Sequence, residues 1–320
     1  MQETAESSVD LTVATQKHVD MYFTSDELTL DIDDFSERIL EPAMSVLAAN
    51  IESDAMSMYK QVYNTVHNVN QVITWKDVLK AGKFLNQNLA PPGDKRWCNL
   101  HETDRVELID SLKALFHDDE EIARQYRDGV MGRSAGFTFA SNTLWPAHTT
   151  TAVYLTDILA AEPDGSAGLL HVDTGATTFK AGDVIFVEDV IACHPESKVS
   201  LGYQLPIVVT ADHAGGEGDL AISPNLISSG AKQNIVSPVA DGKGITKVGG
   251  ASDVYTISMA YHGDAFAFAT ADLVMPKGVD FSAREVLDGI SMRIVRDYDI
   301  NSDSFPCRID VLYGYKAVRP

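Results

Sequence analysis

Hydrophobic residues recur every three or four positions between residues 31 and 64, which is the spacing of one face of an α-helix. The residues of this stripe are Phe35, Ile39, Ala43, Leu47, Ile51, Ala55, Met58 and Val62. Asp33 or Asp34 can cap the start of the helix, and Pro42, which has no N–H, is expected to bend or restart it. From Pro42 to Tyr63 the pattern predicts one long amphipathic helix, which either packs under a sheet or runs across a flat subunit.

Apolar and polar residues alternate over residues 8–30, which predicts a strand followed by extended chain. The apolar positions are Val9, Leu11, Val13, Val19, Tyr22, Leu28 and Leu30. The segment has little apolar content to bury, so as an open hairpin or arm it is expected to need a partner surface. Because the chain starts within a strand, we expect that sequence before Met1 is missing or has been cleaved.

Strand and helix patterns alternate after the long helix, which predicts an α+β or α/β layer. Residues 69–89 carry a helical pattern, and Lys95 to Leu100 reads as a strand. Thr103 can cap a helix over Asp104 to Phe116, and Glu120 to Tyr126 predicts another turn or two of helix.

The composition changes between His148 and Gly250, where thirteen of the 22 glycines lie. No arginine occurs between Arg133 and Arg284. Short β-rich runs separated by turn-forming residues predict a small antiparallel β-barrel or sandwich inserted into a host domain. The runs are Val153 to Leu155, Gly168 to Val172, Asp183 to Val187, Gln204 to Thr210 and Asp219 to Ile222.

The host domain resumes with strand patterns at Val254 to Tyr261 and Ala265 to Val274, and a hairpin closes the chain. Apolar residues alternate with polar ones over Gly289 to Ile294. In the last strand one face is formed by Cys307, Ile309, Val311, Tyr313 and Tyr315. This hairpin offers a broad apolar face that the stripe of the long helix can cover.

The charge balance and the cysteines restrict the function classes. The chain has 46 acidic and 25 basic residues, a net charge of −21, which disfavours a surface that binds DNA or an anionic membrane. Cys98, Cys193 and Cys307 are isolated, which argues against a disulfide framework and fits a reducing compartment. No stretch approaches the roughly 20 apolar residues of a membrane span, and the acidic N-terminus does not resemble a signal peptide. The sequence therefore predicts a soluble protein made in the cytoplasm.

The sequence contains few patterns that carry chemistry. His101-Glu-Thr-Asp104 has no second histidine at zinc-protease spacing, and neither a Gly-x-Ser-x-Gly elbow nor a Gly-x-x-x-x-Gly-Lys-Ser/Thr loop is present. Adjacent carboxylates such as Asp118 and Asp119 point in different directions, so they form no ready catalytic pair. We therefore predict no catalytic residue, no cofactor-binding residue and no metal ligand. The segment from Arg127 to Arg133 is either a surface loop with internal ion pairs or a clamp between subunits.

An ordered set of segments runs along nearly the whole chain. The segments are Gln16–Asp20 with Phe23–Ser25 and Ile32–Arg38, Gln125–Gly129 with Gly132 and Arg133, Phe179–Val184, Asp264–Ala267 with Ala271–Leu273, and Pro306–Gly314. Together they resemble the major capsid (coat) proteins of tailed bacteriophages, in the short-tailed branch that carries an inserted β-domain. The whole ordered set is what is specific for this family, because no single segment would be sufficient to identify it.

The resemblance implies an α+β fold of the type named for bacteriophage Hong Kong 97, with an extension hairpin, a spine helix with a peripheral β-sheet, an axial domain and an inserted small antiparallel β-barrel. The implied division is residues 1–30 for the distal part of the hairpin, 31–70 for the spine helix, 71–147 and 251–278 for the axial domain, 148–250 for the inserted β-barrel and 279–320 for the peripheral sheet.

The resemblance also implies a structural protein, not an enzyme, that self-assembles into the icosahedral shell around the phage double-stranded DNA. Its implied partners are copies of itself in hexamers and pentamers, scaffolding and portal proteins, and DNA enclosed without sequence-specific binding, with no membrane. It would be made in the host bacterial cytoplasm and end in the virion. We expect Lys17, Arg38, Arg127 and Arg133 to pair with acidic residues of neighbouring subunits. The alternatives are a surface adhesin or ligand-binding β-module, and a hydrolase or encapsulated oxidoreductase.

Overall fold

A long helix on an antiparallel sheet forms one part of the chain, and a β-rich body forms the other. The computed structural model describes residues 8–25, 40–68, 71–111, 132–151, 156–157, 168–173, 175–287 and 289–319. The chain divides into two compact units. Unit 1 comprises Met1–Met56 with Phe266–Arg319, and unit 2 comprises Ser57–Ala265.

The described residues contain both helices and strands. The helices are α1 (Glu41–Met56), α2 (Trp75–Gln87) and α3 (Glu102–Ser111), with 3-10 helices at Ser57–Gln61 and Gly263–Ala265. The strands are β1 (Thr15–Thr24), β2 (Arg96–His101), β3 (Arg133–Ser134), β4 (Phe137–Asn142), β5 (Ala147–Thr149), β6 (Thr156–Asp157), β7 (Leu169–Val172), β8 (Val184–Val187), β9 (Ile191–Cys193), β10 (Ser200–Gln204), β11 (Ile207–Val209), β12 (Gly218–Ser223), β13 (Gly244–Lys247), β14 (Val254–Thr256), β15 (Met259–His262), β16 (Phe266–Ala271), β17 (Phe281–Leu287), β18 (Ile290–Arg296) and β19 (Ser304–Ala317). The predicted mixture of helix and strand is confirmed.

Unit 1 contains a five-stranded antiparallel sheet in the order β1-β19-β18-β17, with β16 paired to the C-terminal part of β19. All ten residues of β1 pair with β19, from Thr15 opposite Tyr313 to Thr24 opposite Ser304. For residues 15–24, the partner surface that we expected this segment to need is therefore β19 of the same chain. The closing strand of the same chain supplies the missing backbone hydrogen bonds.

Helix α1 covers one face of this sheet, as the sequence predicted. Leu47 and Ile51 of α1 form a buried cluster with residues of β19 that point to the same face, namely Ile309, Val311 and Tyr313. Fully burying a side chain of this size contributes about 1.5–3 kcal/mol, so these few contacts are sufficient to fix the helix on the sheet. Pro42 lies in the first turn of α1, where a missing N–H costs no helical hydrogen bond.

The helix is shorter than its hydrophobic pattern predicted. The α-helix ends at Met56 and continues as a 3-10 helix only to Gln61, whereas we expected helix as far as Tyr63. Met58 and Tyr59 are buried, but in unit 2. The hydrophobic stripe therefore packs first into the core of unit 1 and then into that of unit 2. Its periodicity alone does not show where one core ends and the next begins. Residues 31–39, the predicted start of the helix, lie outside the described residues.

Gly314 marks a close approach of two backbones in unit 1. A Cβ at this position would lie 2.9 Å from the carbonyl carbon of Thr12 and from the Cα of Val13, and closer still to the Thr12 carbonyl oxygen. Only a residue without a side chain fits there unless the segment before β1 moves.

Gly314→Ala is therefore expected to lower the free energy of unfolding by about 1–3 kcal/mol, the usual cost of overpacking a tight contact. Urea unfolding followed by circular dichroism measures the difference. Gly244→Ala in β13 is the matched control, since its added Cβ would meet only the Glu188 carboxylate at 4.0 Å. Equal stabilities of the two variants would contradict the close approach.

Unit 2 is built around a six-stranded antiparallel sheet with the order β6-β13-β8-β11-β12-β7. Its core is a large cluster of buried aliphatic residues that includes Ile185, Ile207 and Leu220, none of them exposed. The predicted runs at β7, β8, β11 and β12 are confirmed. The sequence did not predict the strands β9, β10 and β13.

A second sheet of unit 2 has the order β15-β2-β4-β3, in which β2 and β4 run parallel. Its core includes Val78 of α2, Leu100 of β2 and Leu108 of α3. We had expected Thr103 to cap helix α3. The helix instead begins at Glu102, so Thr103 lies inside it. The predicted run Val254 to Tyr261 is broken into β14 and β15, which join different sheets.

Candidate functional site

Lys17, a predicted contact with neighbouring subunits, pairs inside its own chain. Its Nζ lies 3.3 Å from Oδ2 of Asp54 on α1, and the side chain of Lys17 is 40% exposed. The buried Tyr313 hydroxyl donates a hydrogen bond of 2.5 Å to the same Asp54 oxygen. Burial and the adjacent Asp54 carboxylate raise the pKa of Tyr313, so the phenol remains the donor. These contacts hold α1 on the sheet and leave part of the Lys17 side chain exposed to solvent.

Arg133, at the start of β3, forms an ion pair with Asp94 of the same chain. Both side chains are at least half exposed, so the pair contributes little to stability by itself. Arg38 and Arg127 lie outside the described residues. The two described residues, Lys17 and Arg133, thus pair within their own chain, and the role of the four predicted residues between subunits stays a prediction.

The sheet face opposite α1 carries charged residues that are paired across strands. Asp310 of β19 is completely buried and accepts hydrogen bonds from Nε of Arg293 at 3.0 Å and from Nη2 at 2.5 Å. The amide of Gln16 donates a third bond of 3.0 Å. On the same face Arg308 pairs with Asp20, but there both side chains are about half exposed. The buried group therefore links β1, β18 and β19, and the exposed pair links β1 and β19.

Four polar residues form a buried chain inside unit 2. The Nε2 of His148 lies 2.8 Å from Oδ1 of Asp183, and Nζ of Lys247 lies 2.8 Å from Oδ2 of the same carboxylate. The Nδ1 of His148 lies 3.0 Å from the hydroxyl of Tyr59. Because the carboxylate only accepts, Nε2 carries the proton, and in the neutral ring Nδ1 accepts from the Tyr59 hydroxyl. These four hydrogen-bonded residues join the 3-10 helix after α1 to β5 and β13.

The electrostatics of this cluster favour an ionised Asp183. Burial alone would raise the pKa of Asp183, but hydrogen bonds from His148, the Lys180 N–H and Lys247 together hold it below the ordinary value of 3.8. Burial and the nearby Asp183 charge raise the pKa of Tyr59 to about 12. Tyr59 therefore keeps its proton at neutral pH and can act as the donor in the chain.

Sequence reasoning missed this cluster because its members are far apart in the chain. One signal could have revealed part of it. In β13 the buried positions alternate, and Lys247 occupies the inward position that follows Ile245. A lysine that points into a core requires a buried partner, because an unpaired buried charge is very costly. The sequence does not indicate which acidic residue supplies that partner.

A polar cavity of about 390 Å³ lies near the start of α2. Its lining residues are His67, Asn68, Gln71, Val72, Thr74, Lys76, Asp77, Lys80 and Gly249. The Asp77 carboxylate already accepts hydrogen bonds from the Thr74 N–H, the Thr74 hydroxyl, Asn68 and Lys80. Thr74 and Asp77 of the cavity thus cap the start of the helix.

Within the described ranges, no group of three or more His, Cys, Asp or Glu side chains is arranged to hold a metal ion. Cys98, Cys193 and Cys307 are buried and carry free thiols. In the same part of the chain, none of the helices has both the length and the apolar character that crossing a membrane requires.

Comparison with known proteins shows that the C-terminal part of the chain is similar to a family of coat proteins, which are structural proteins. The particular match is to the P22 coat protein, gene protein 5, whose family model matches residues 164–320. This region is just under half of the chain and contains all the strands from β7 to β19. The resemblance to phage coat proteins that the sequence predicted is thereby confirmed. No curated protein matches the sequence.

Two solved phage structures are also similar to the chain. One, from Mycobacterium phage Che8, has 14% sequence identity and a TM-score of 0.46, and the match covers 100% of this chain and 74% of that one. The capsid structure of cyanophage P-SCSP1u has 9% identity and a TM-score of 0.43, with 99% and 75% of the two chains covered.

Proposed function

We propose that the chain assembles with identical copies into the icosahedral shell that encloses the double-stranded DNA of a tailed phage. The observation that carries this proposal is the match of residues 164–320 to the coat protein family. The role is structural and not enzymatic. The protein is made in the cytoplasm of the host bacterium and becomes part of the virion.

We further propose that the chain has the Hong Kong 97-like fold. The packing of α1 on the sheet of unit 1 supports a spine helix with a peripheral sheet over residues 31–70 and 279–320. The six-stranded sheet of unit 2 supports an inserted β-barrel over residues 148–250. In this division residues 71–147 and 251–265 form the axial domain, since β16 pairs with β19 and so belongs with the peripheral sheet. The extension hairpin then involves residues of the first 30 other than 15–24, since β1 belongs to the peripheral sheet.

The partners in this proposal are hexamers and pentamers of the same chain, together with scaffolding and portal proteins. The net charge of −21 supports a shell that encloses DNA without sequence-specific binding, because tight phosphate contact depends on lysine and arginine. Lys17, Arg38, Arg127 and Arg133 remain the proposed contacts between subunits. Each exposed pair contributes about 0–1 kcal/mol, so such contacts gain their effect by repetition over many copies.

The assembly state of the purified full-length chain tests the proposed function. We expect capsomers or particles of megadalton mass in size-exclusion chromatography, and closed shells in negative-stain images once scaffolding protein is supplied. Multi-angle light scattering on the eluted peak gives the mass without reference to shape.

A chain that stays a monomer or small oligomer under all these conditions, with its fold intact by circular dichroism, would contradict the proposal. That result would favour the surface adhesin, the ligand-binding β-module or the enzyme. A mixture of capsomers and shells would support it, because both are built from repeated copies.

A further inference from the structure

Residues 57–67, which we call the strap, follow α1 and lie against the six-stranded sheet of unit 2. The strap begins as the 3-10 helix Ser57–Gln61, and no helix or strand includes residues 62–68. A segment of this kind has few backbone hydrogen bonds of its own. Its position therefore depends on the side chains that hold it.

Three aromatic rings hold the strap, and they recur at every fourth residue. The hydroxyl of Tyr59 bonds His148, and the Tyr59 ring meets the His148 ring edge-on with 5.9 Å between centroids. Tyr63 packs against the core of the six-stranded sheet, where burial raises the pKa of its hydroxyl. The His67 ring lies 5.5 Å from the ring of Phe186 in β8. The anchors thus weaken from the buried Tyr59 to the exposed His67.

The attachment of Tyr59 is rigid because the groups behind it are fixed. His148 is held by Asp183, and Asp183 is held in turn by Lys247, which also donates to the Thr151 hydroxyl at 2.7 Å. These partners of Tyr59 are almost completely buried. The side chain of Lys60 also lies close to the turn before β8, since a Cβ at Gly182 would lie 3.0 Å from Cγ of Lys60.

We infer that the strap is a conformational switch in which all of residues 57–67 leave the six-stranded sheet and return to it together. The hydrogen bond of the Tyr59 hydroxyl stabilises the closed position. Segments that rely on a few side-chain contacts open at lower free energy than the sheets against which they pack. Opening removes Tyr63 from the sheet and exposes the flank beside it, where Leu201 and Tyr203 are partly buried. The inference stands on this geometry and does not depend on the proposed assembly.

Trypsin cleavage after Lys60 in the full-length chain measures the opening. Lys60 lies within the strap and is only partly buried, so it becomes a substrate when the strap leaves the sheet. When opening is fast relative to cleavage, the rate follows the open population. Tyr59→Phe is expected to speed cleavage after Lys60 about five- to tenfold, the usual effect of losing one hydrogen bond, with little change in Tm.

Two further variants test whether the effect is specific to the Tyr59 hydroxyl and whether the whole strap moves together. Tyr22→Phe removes the hydroxyl of a tyrosine that is 75% exposed in β1 and should leave the cleavage rate unchanged. His67→Ala removes an anchor seven residues from the cleaved bond and should speed cleavage after Lys60 at least twofold if the strap moves as a unit. Three results would overturn the inference. They are unchanged cleavage after Lys60 in Tyr59→Phe, unchanged cleavage after Lys60 in His67→Ala, and accelerated cleavage at all lysines together, which would indicate general unfolding.

Discussion

Asp310→Asn is expected to lower the free energy of unfolding by about 3–5 kcal/mol, the cost of removing one partner of a buried ion pair. The Asp310 carboxylate is fully buried and accepts two hydrogen bonds from Arg293 and one from Gln16. Asparagine has nearly the same size, so the loss arises from the charge and not from a cavity. The substitution leaves the Arg293 guanidinium, 18% exposed, facing a neutral amide.

Asp20→Asn is the matched control for this prediction. Asp20 pairs with Arg308 on the same face of the same sheet, with hydrogen bonds of 2.6 and 2.9 Å, but both side chains are about half exposed. Breaking an exposed pair is expected to cost about 0–1 kcal/mol. Urea unfolding of the unassembled chain at neutral pH compares the two variants. Similar losses from both would mean that burial of Asp310 does not determine the strength of its pair.

The sequence predicted much of unit 1 because its pattern is strong there. The last strand alternates regularly, and the stripe of α1 matches the face formed by Ile309, Val311 and Tyr313. Strand β17 was missed, because it lies at the edge of the sheet and its exposed residues such as Arg284 and Glu285 show no alternation. An edge strand is paired on one side only and often carries charges, so its sequence resembles that of a loop.

The partners of segments that are distant in the chain could not be predicted. The pattern over residues 8–30 indicated extended chain, but not that β1 pairs with β19 of the same chain. The predicted long helix likewise continued through Tyr59 to Tyr63, although these residues pack in unit 2. Hydrophobic periodicity shows that a face is buried, whereas the partner of that face is set by contacts between distant segments.

The partners in the buried cluster of Tyr59, His148, Asp183 and Lys247 could not be predicted either. Each residue taken alone is unremarkable in the sequence, and no spacing connects them. The resemblance to coat proteins predicted a function without predicting this cluster, because family motifs report function and ancestry rather than each internal contact. Physical reasoning could have identified Lys247 as a residue in need of a partner, but it could not have supplied Asp183.

Asp183→Asn is expected to lower the free energy of unfolding by about 3–5 kcal/mol at neutral pH, because it leaves Lys247 buried without its counter-charge. Lys247 is only 2% exposed and Asp183 not at all. Asp219→Asn is the matched control. His171 and Asp219 form a pair of the same 2.8 Å length as His148 and Asp183, but on the surface of unit 2. We expect it to cost less than about 1 kcal/mol.

The effect of Asp183→Asn should depend on pH in a defined direction. Partners hold the pKa of Asp183 below the ordinary value of 3.8, so its ionised form stabilises the folded chain above that value. This contribution is lost as the pH falls through the lowered pKa of the folded state. The difference in stability between the original chain and Asp183→Asn should therefore be largest near neutral pH and shrink in acid. Urea unfolding at several pH values down to about 3 measures this, and a difference that grew in acid would show that Asp183 is not held ionised by His148 and Lys247.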